Sequence, residues 1–283
     1  METGISRIGL DKFYTKPSTV KQCLEYFNEH LEIHDSDIIL EPCAGNGVFI
    51  DELMLLFPNI QILGYDLDPC HHLVVKQDFL SLELPDDILT KKIHVIGNPP
   101  FGIQSSLARK FIKKSCEFCD TVSFILPKSF KKNSYRKAFP LDFFLVFSED
   151  LDDNSFSING VEHDVPCIFQ IWKRSHSSHR MIQLPQRPCG FNYVKKDESP
   201  HFSIRRVGFY AGVISRNPQE KNINSHYFIK LNDPVNITEF REMYIIRIRF
   251  ENENTVGPRS ISKYELTPKI NSILSELFSL DIL

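Results

Sequence analysis

The sequence predicts an α/β protein with a mostly parallel, doubly wound sheet and an antiparallel last strand over residues 1–174, then a smaller mixed C-terminal appendage over 175–283. Three observations carry this prediction. Short, continuous apolar runs alternate with amphipathic segments up to about residue 174, as in strands buried on both faces and separated by helices. A glycine turn, Gly45-Asn46-Gly47, joins the first of these runs to an apolar helical stretch. Past residue 174 a polar stretch with Pro185, Pro188 and Gly190 breaks the alternation before strand-like and helix-like segments resume.

The elements follow in order. Pro17 and Ser18 open a helix over 17–31 in which Val20, Leu24 and Phe27 share a face. DIILE at 37–41 reads as a short buried strand, VFIDELMLLF as a helix, and IQILGYD at 60–66 as the next strand. KIHVIG at 92–97 is a further strand, followed by a helix from about Ser105 to Phe118. TVSFIL at 121–126, DFFLVF at 142–147 and PCIFQIW at 166–172 complete the series. No helical pattern separates the last two. The loop SINGVEHD, with the turn signal Asn159-Gly160, fills that space, so an antiparallel final strand follows. In the appendage, FSIRRVGFYAGVI and SHYFIKL read as strands and MYIIRIRF as a strand or short helix. LTPKINSILSELF reads as a closing helix with Pro268 near its start.

Composition narrows the class. Of 283 residues, 42% are hydrophobic and 24% charged, which fits a chain able to bury a sizeable core and argues against disorder. No apolar run is long enough to span a bilayer, and the N-terminus lacks the apolar region of a signal peptide, so an intracellular, soluble protein is expected. The seven cysteines are odd in number and scattered, which disfavours a disulfide framework. Cys116 and Cys119 form one C-x-x-C without a second ligand pair at zinc-finger spacing, so packing on a helix is the preferred reading and no metal is expected. Cys70-His71-His72 reads as a turn beside a strand end. Residues 1–174 carry a net charge of −7 and 175–283 a net +4, compatible with nucleic-acid contact by the appendage.

Two constellations carry chemistry. Glu41-Pro42-Cys43-Ala44-Gly45-Asn46-Gly47 follows a strand and opens a helix, where glycines let the backbone turn and approach a ligand. The third glycine of the dinucleotide pattern is replaced by Ile50, which favours a nucleoside over a pyrophosphate. Asp66, at the end of the next strand, stands where an acidic side chain would bind ribose hydroxyls. The second constellation is Asn98-Pro99-Pro100-Phe101-Gly102, entered directly from HVIG. Its two prolines stiffen the loop and fix Asn98 and the Pro99 carbonyl at the strand's C-terminal end, where ligands bind in open α/β sheets.

With NPPF at 98–101, EPCAGNG at 41–47 and DKFYTKP at 11–17, the chain resembles the S-adenosylmethionine-dependent amino-methyltransferases, in the subgroup whose cofactor motif precedes the catalytic motif. The resemblance covers roughly residues 10–174. It implies a Rossmann-like class I methyltransferase fold, with 1–174 as the catalytic domain binding S-adenosyl-L-methionine and 175–283 as a candidate target-recognition part. It also implies methyl transfer to the N6 amino group of adenine in a nucleic acid, with DNA favoured. RNA adenosine, including that of the messenger cap, protein glutamine, and an inactive nucleic-acid-binding partner subunit remain alternatives. Phe after the prolines favours adenine over glutamine.

The roles implied by the resemblance fall on particular residues. Asn98, Pro99, Pro100 and Phe101 are catalytic: the Asn98 side-chain carbonyl and the Pro99 carbonyl accept from the amino group, and Phe101 stacks on the base. Phe13, Tyr14 and Thr15 contact the methionine end of the cofactor, with Asn98 nearby. Glu41, Pro42, Cys43 and the backbone of Ala44–Gly47 surround that end. Asp66 binds the ribose, and Leu67 lies beside the cofactor adenine. Asp78 meets its amino group and Phe79 its face, although core packing is an equal reading of Phe79. Lys128, Lys131, Lys132, Arg136 and Lys137 are candidates for holding phosphates beside the base. Arg109, Lys110, Lys113 and Lys114 read as a solvated helix face. Arg205 and Arg206, with Ser225–Phe228, combine charge and aromatics and are candidates for target contact or an ordinary strand pair.

Overall fold

A computed structural model describes residues 14–158, 161–163, 165–180, 186–232, 236–250 and 259–280. Phe13, Asn159, Gly160 and Pro185 lie outside the described residues. The chain divides into two compact units, Met1–Ile182 and Gln183–Leu283. The division comes later than the composition break at 174. The Ser175 amide donates to the Asp142 carbonyl (2.7 Å) and the Arg180 amide to that of Leu141 (2.6 Å). The Arg180 guanidinium lies over the Trp172 ring at 4.9 Å. The polar stretch that reads as a linker is thus, up to Arg180, a segment laid along the first unit.

In the first unit the order is β1 (Tyr14–Thr15), α1 (Pro17–His30), β2 (Ile38–Glu41), α2 (Val48–Leu56), β3 (Gln61–Asp66), β4 (Val74–Lys76), α3 (Asp86–Leu89), β5 (Ile93–Gly97), α4 (Ser106–Ser115), β6 (Thr121–Pro127), α5 (Asn133–Arg136), β7 (Phe143–Asp150), β8 (Phe156–Ile158), β9 (Val161–His163) and β10 (Cys167–Arg174). Seven strands form one sheet in the order β4-β3-β2-β5-β6-β10-β7. The pairs among β4, β3, β2, β5 and β6 are parallel, and β10 runs antiparallel to both β6 and β7. This is a doubly wound, Rossmann-like arrangement, with the expected antiparallel last strand inserted between its neighbours.

The burial explains why these runs form strands. Every residue of β2, β5 and β6 is buried. Alternate residues point to opposite faces. Leu40, Val95, Val122 and Phe124 pack with Phe111 and Ile112 of α4, whereas Ile39, Ile96 and Ile125 pack with Val20, Leu24 and Phe27 of α1. Helices therefore cover both faces, which requires apolar residues at every strand position. Fully burying a side chain such as Phe124 contributes about 1.5–3 kcal/mol, and truncating it to alanine costs about 3–5 kcal/mol. α1 starts where expected, with Pro17 in its first turn and Lys16 extended before it.

One buried polar cluster went unread in the sequence. His94 is fully buried, with Nε2 3.2 Å from Asp37 Oδ2 and Nδ1 2.9 Å from Thr121 Oγ1. Burial lowers its pKa from the ordinary histidine value. It ties β5 to β6 and to the residue preceding β2, at the end of the sheet away from the glycine turn.

β1, β8 and β9 form a separate three-stranded antiparallel sheet, where the sequence suggested only a loop between the last two long strands. β1 pairs with β8 through Tyr14↔Ser157 and Thr15↔Phe156.

In the second unit β11 (Phe191–Val194), β12 (Phe202–Arg205), β13 (Ile214–Ser215) and β14 (His226–Leu231) form an antiparallel sheet in the order β11-β14-β12-β13. It packs on α6 (Ile237–Arg247) and α7 (Lys263–Leu280) through Phe202, Ile229, Phe240, Leu266 and Ile270. The segment that was open between strand and helix is helical as far as Arg247: Asn236 caps α6 by accepting from the amides of Thr238 and Glu239. Pro268 lies inside α7 instead of near its start, because the helix begins earlier, at Lys263. Ser262 and Glu265 form a reciprocal capping box there. Among the described residues no helix is long and apolar enough to cross a membrane, and no group of three or more His, Cys, Asp or Glu is placed to hold a metal ion.

Candidate active site

Because β2, β3, β5 and β6 are parallel, Glu41, Asp66, Asn98 and Lys128 all emerge at one edge of the sheet. The chain passes outward from β2 to β3 and β4, then returns to β5 on the other side. Glu41 and Asn98 therefore flank the topological switch point, where open α/β sheets bind ligands.

The glycine turn is held from three sides. The Gly45 amide donates to Asp66 Oδ2 (2.8 Å), and Asp66 Oδ1 accepts from the Asp68 amide (2.8 Å). The Cys70 amide donates to the Gly45 carbonyl (2.9 Å), so the segment after β3 folds back onto the turn. Gly47 has a φ of +81°, and a Cβ there would stand 2.4 Å from the His71 ring. The His71 ring, with Nε2 3.1 Å from Asp51 Oδ1, fills that space. The Cys70-His71-His72 tract is therefore a packed turn, as its reading suggested. At Gly45 the near neighbours of an added methyl would be the Tyr14 ring (3.5 Å) and Asp66 Oδ2 (3.9 Å), leaving the backbone open to close approach.

Glu41 is 2% exposed, and among the described residues its Oε2 has no hydrogen-bond partner. Burial raises its pKa well above the ordinary carboxylate value, and the Asp66 charge raises it further. A buried carboxyl without a partner beside a second carboxylate is a site short of one cation and one donor.

Asn98 is the other unsatisfied group. Its Nδ2 donates to Thr15 Oγ1 (3.2 Å), and its backbone carbonyl accepts from the Cys43 thiol (3.2 Å). Its Oδ1 is buried and has no partner among the described residues. Burial, with Glu41 and Asp66 adding to it, holds the Cys43 thiol well above its usual range, so Cys43 is a donor here. Pro99 is buried, and Phe101 is half-buried against both faces of the core. Beyond it, Gly102, Gln104 and Ser105 have positive φ of 67°, 52° and 60°. Such conformations cost about 1–3 kcal/mol each outside glycine and persist only where the surroundings fix them.

The structure thus brings together Tyr14, Thr15, Glu41, Cys43, Gly45, Asp66 and Asn98. Pro42 and Ala44 are buried within the same loop, and Asn46 is exposed at its tip. Leu67 is 58% exposed just past β3. Asp78 is exposed, and its carboxylate accepts from the Leu80 amide (3.0 Å) as a helix cap. Phe79 is 1% exposed and stacked on Phe111 at 5.4 Å, the core packing that its sequence equally allowed.

The basic residues divide. Lys128 and Lys131 are both drawn onto Asp150, at 2.9 and 2.5 Å. Burial would raise the Asp150 carboxyl, but the two ammonium groups outweigh it and hold the pKa below the ordinary value. These two lysines tie the turn after β6 to the end of β7, whereas Lys137 is exposed and Lys132 and Arg136 are half-buried. Lys110 and Lys113 are exposed on α4, as a solvated face would be, and Lys114 pairs with Glu117 (3.2 Å). Arg109 stacks on Tyr135 at 4.7 Å. In the second unit Arg205 Nε donates to the Val207 carbonyl and Arg206 Nε to that of Asn224, each at 3.0 Å. Cys116 and Cys119 are buried free thiols.

Sequence reasoning assigned Thr15 to the cofactor and missed its bond to Asn98. No local signal reveals it, because Thr15 is placed by pairing with Phe156.

No protein-family profile matches this chain. Over 240 residues it is 23% identical to the Arabidopsis thaliana protein ENHANCED DOWNY MILDEW 2, covering 75% of this chain and 18% of that protein. Over 101 residues it is 31% identical to the modification methylase CviBIII of Paramecium bursaria Chlorella virus NC1A, covering 33% of this chain and 26% of that protein. The chain thus spans 18% and 26% of the length of these two curated relatives. Among solved structures, TrmN from Thermus thermophilus superposes with a TM-score of 0.40 at 15% identity, over 56% of this chain and 49% of that one.

Proposed function

We propose that this chain is an S-adenosylmethionine-dependent methyltransferase acting on the N6 amino group of adenine in a nucleic acid, with DNA as the favoured substrate. The observation that carries the reading is Asn98 Oδ1, buried at the C-terminal end of β5 and unpartnered among the described residues, with Thr15 turning the amide so that its oxygen is left for a substrate donor. The residues on the glycine side fit the cofactor. Glu41 and Asp66 supply two carboxylates to a ligand carrying an ammonium and a sulfonium, and Asp66 retains acceptor capacity for ribose hydroxyls. When bound, S-adenosylmethionine supplies a methyl group on a cationic sulfur.

The adenine amino nitrogen is a weak nucleophile because its lone pair is delocalised into the ring. Asn98 Oδ1 and the Pro99 carbonyl would accept its two hydrogens, draw the nitrogen toward tetrahedral geometry and aim its lone pair at the methyl carbon. The methyl–sulfur bond would break as the nitrogen–carbon bond forms, the sulfur leaving as a neutral thioether and the methylated nitrogen giving one proton to water. Pro99 and Pro100 fix both acceptors, so positioning and electrostatics supply the acceleration. Phe101 stacks on the base, which in a duplex must first leave the helix at a cost of a few kcal/mol. Similarity to a protein named a modification methylase supports transfer to DNA. Methyl transfer from labelled S-adenosylmethionine to adenine-containing DNA, lost in Asn98→Ala with cofactor binding retained, tests this reading. Label on protein glutamine alone would replace it.

A further inference from the structure

The second unit holds a cavity of about 710 Å³, lined wholly by its own residues. Four cations border it: Lys195 and Lys196 just after β11, Arg206 after β12, and Lys263 at the first turn of α7. Asp197 is the acid among its lining residues. Tyr193 and Tyr227 form an aromatic wall, with ring centroids 5.7 Å apart. The Lys263 ammonium lies 4.3 Å from the Tyr193 ring centroid and 5.8 Å from that of Tyr227, and the Arg206 guanidinium 5.8 Å from that of Tyr227. Both phenolic groups are engaged inward: Tyr193 Oη lies 3.1 Å from Thr267 Oγ1, and Tyr227 donates to the Ile261 carbonyl (3.0 Å). The rings are thus fixed and hold the two cations at the cavity, ready to meet an anion.

We infer that this cavity binds the phosphodiester backbone of a single-stranded nucleic acid. Cations held by rings keep their full charge for a ligand, whereas Lys128 and Lys131 of the first unit have theirs met by Asp150. A concave pocket of this size takes a nucleotide unit of a flexible strand, and basic grooves backed by aromatics are the usual platform for single strands. The choice of nucleic acid among anions rests on the functional reading above.

The test uses the full chain and short labelled oligothymidylate and oligouridylate strands, which contain no adenine for the methyl-transfer site. Binding is followed by fluorescence anisotropy over a salt series. Lys195→Glu with Lys196→Glu is expected to weaken binding about tenfold or more and to flatten the salt dependence by about 0.7 in log–log slope for each phosphate no longer neutralised. Lys263→Gln, which keeps a long side chain, is expected to do the same to a lesser degree. Circular dichroism verifies that the variants remain folded. Unchanged affinity and slope in folded variants would overturn the inference, as would equal binding of an adenine-free duplex of guanine and cytosine or displacement of the strand by an equal concentration of uridine triphosphate. Adenine methylation by a protein that ignores adenine-free strands removes this inference alone. Strand binding without methyl transfer removes the functional reading alone.

Discussion

Thr15 Oγ1 stands 3.2 Å from Asn98 Nδ2, and this bond decides which end of the Asn98 amide is left for a ligand. With the nitrogen engaged, the oxygen is the group without a partner among the described residues. The two residues are 83 positions apart, joined because β1 pairs with β8.

Thr15→Val removes the acceptor and leaves the Asn98 nitrogen unsatisfied, at a cost of about 1–3 kcal/mol. The expected result is a fall in methyl-transfer kcat of about tenfold to a hundredfold. Thr15→Ser should recover most of it, and in Thr15→Val the fall in kcat should exceed any change in cofactor Kd. Full activity in Thr15→Val would show that the amide needs no such hold.

Glu41 makes both stability and cofactor affinity depend on pH. Its folded-state pKa is raised, by burial first and by Asp66 second, so its contribution to stability is present below its unfolded value and is lost as pH rises through the raised one. Glu41→Gln should therefore flatten the decline in stability of the ligand-free protein above about pH 4.5. Over the same window the ionised carboxylate attracts a cationic ligand, so S-adenosylmethionine should bind more tightly as pH rises and release a proton on binding. Titration calorimetry in buffers of different ionisation enthalpy reads that proton. Affinity independent of pH would remove Glu41 from the cofactor site.

Gly47→Ala forces an L side chain to a φ of +81° and drives its Cβ into the His71 ring. The backbone alone costs about 1–2 kcal/mol. Denaturant unfolding should show at least that loss, together with weaker cofactor binding. Adding His71→Ala should recover the steric part and leave the backbone part. A variant as stable as the parent would mean that the turn relaxes freely.

The sheet was legible because its strands are short, apolar on both faces and separated by amphipathic helices such as α1 and α4. The glycine turn and NPPF were legible because their residue types are tied to backbone needs: positive φ at Gly47 and a stiffened strand exit at Pro99. β4, with two of its three residues exposed, carries no comparable signal. The β1–β8 pairing depends on residues far apart in the chain, and two residues of strand leave no periodicity to read. Phe79 left two readings open because only the fold brings Phe111 of α4 against its ring. Lys128 and Lys131 read as a basic stretch because Asp150, their partner, arrives from the far end of β7.

The most direct test incubates the protein with radiolabelled S-adenosylmethionine and matched pools of double-stranded DNA, single-stranded DNA, RNA and capped RNA, alongside Asn98→Ala. The account predicts label as N6-methyladenine in the DNA pools, absent from the variant although the variant still binds cofactor. Cofactor binding without label in any nucleic-acid pool would contradict it.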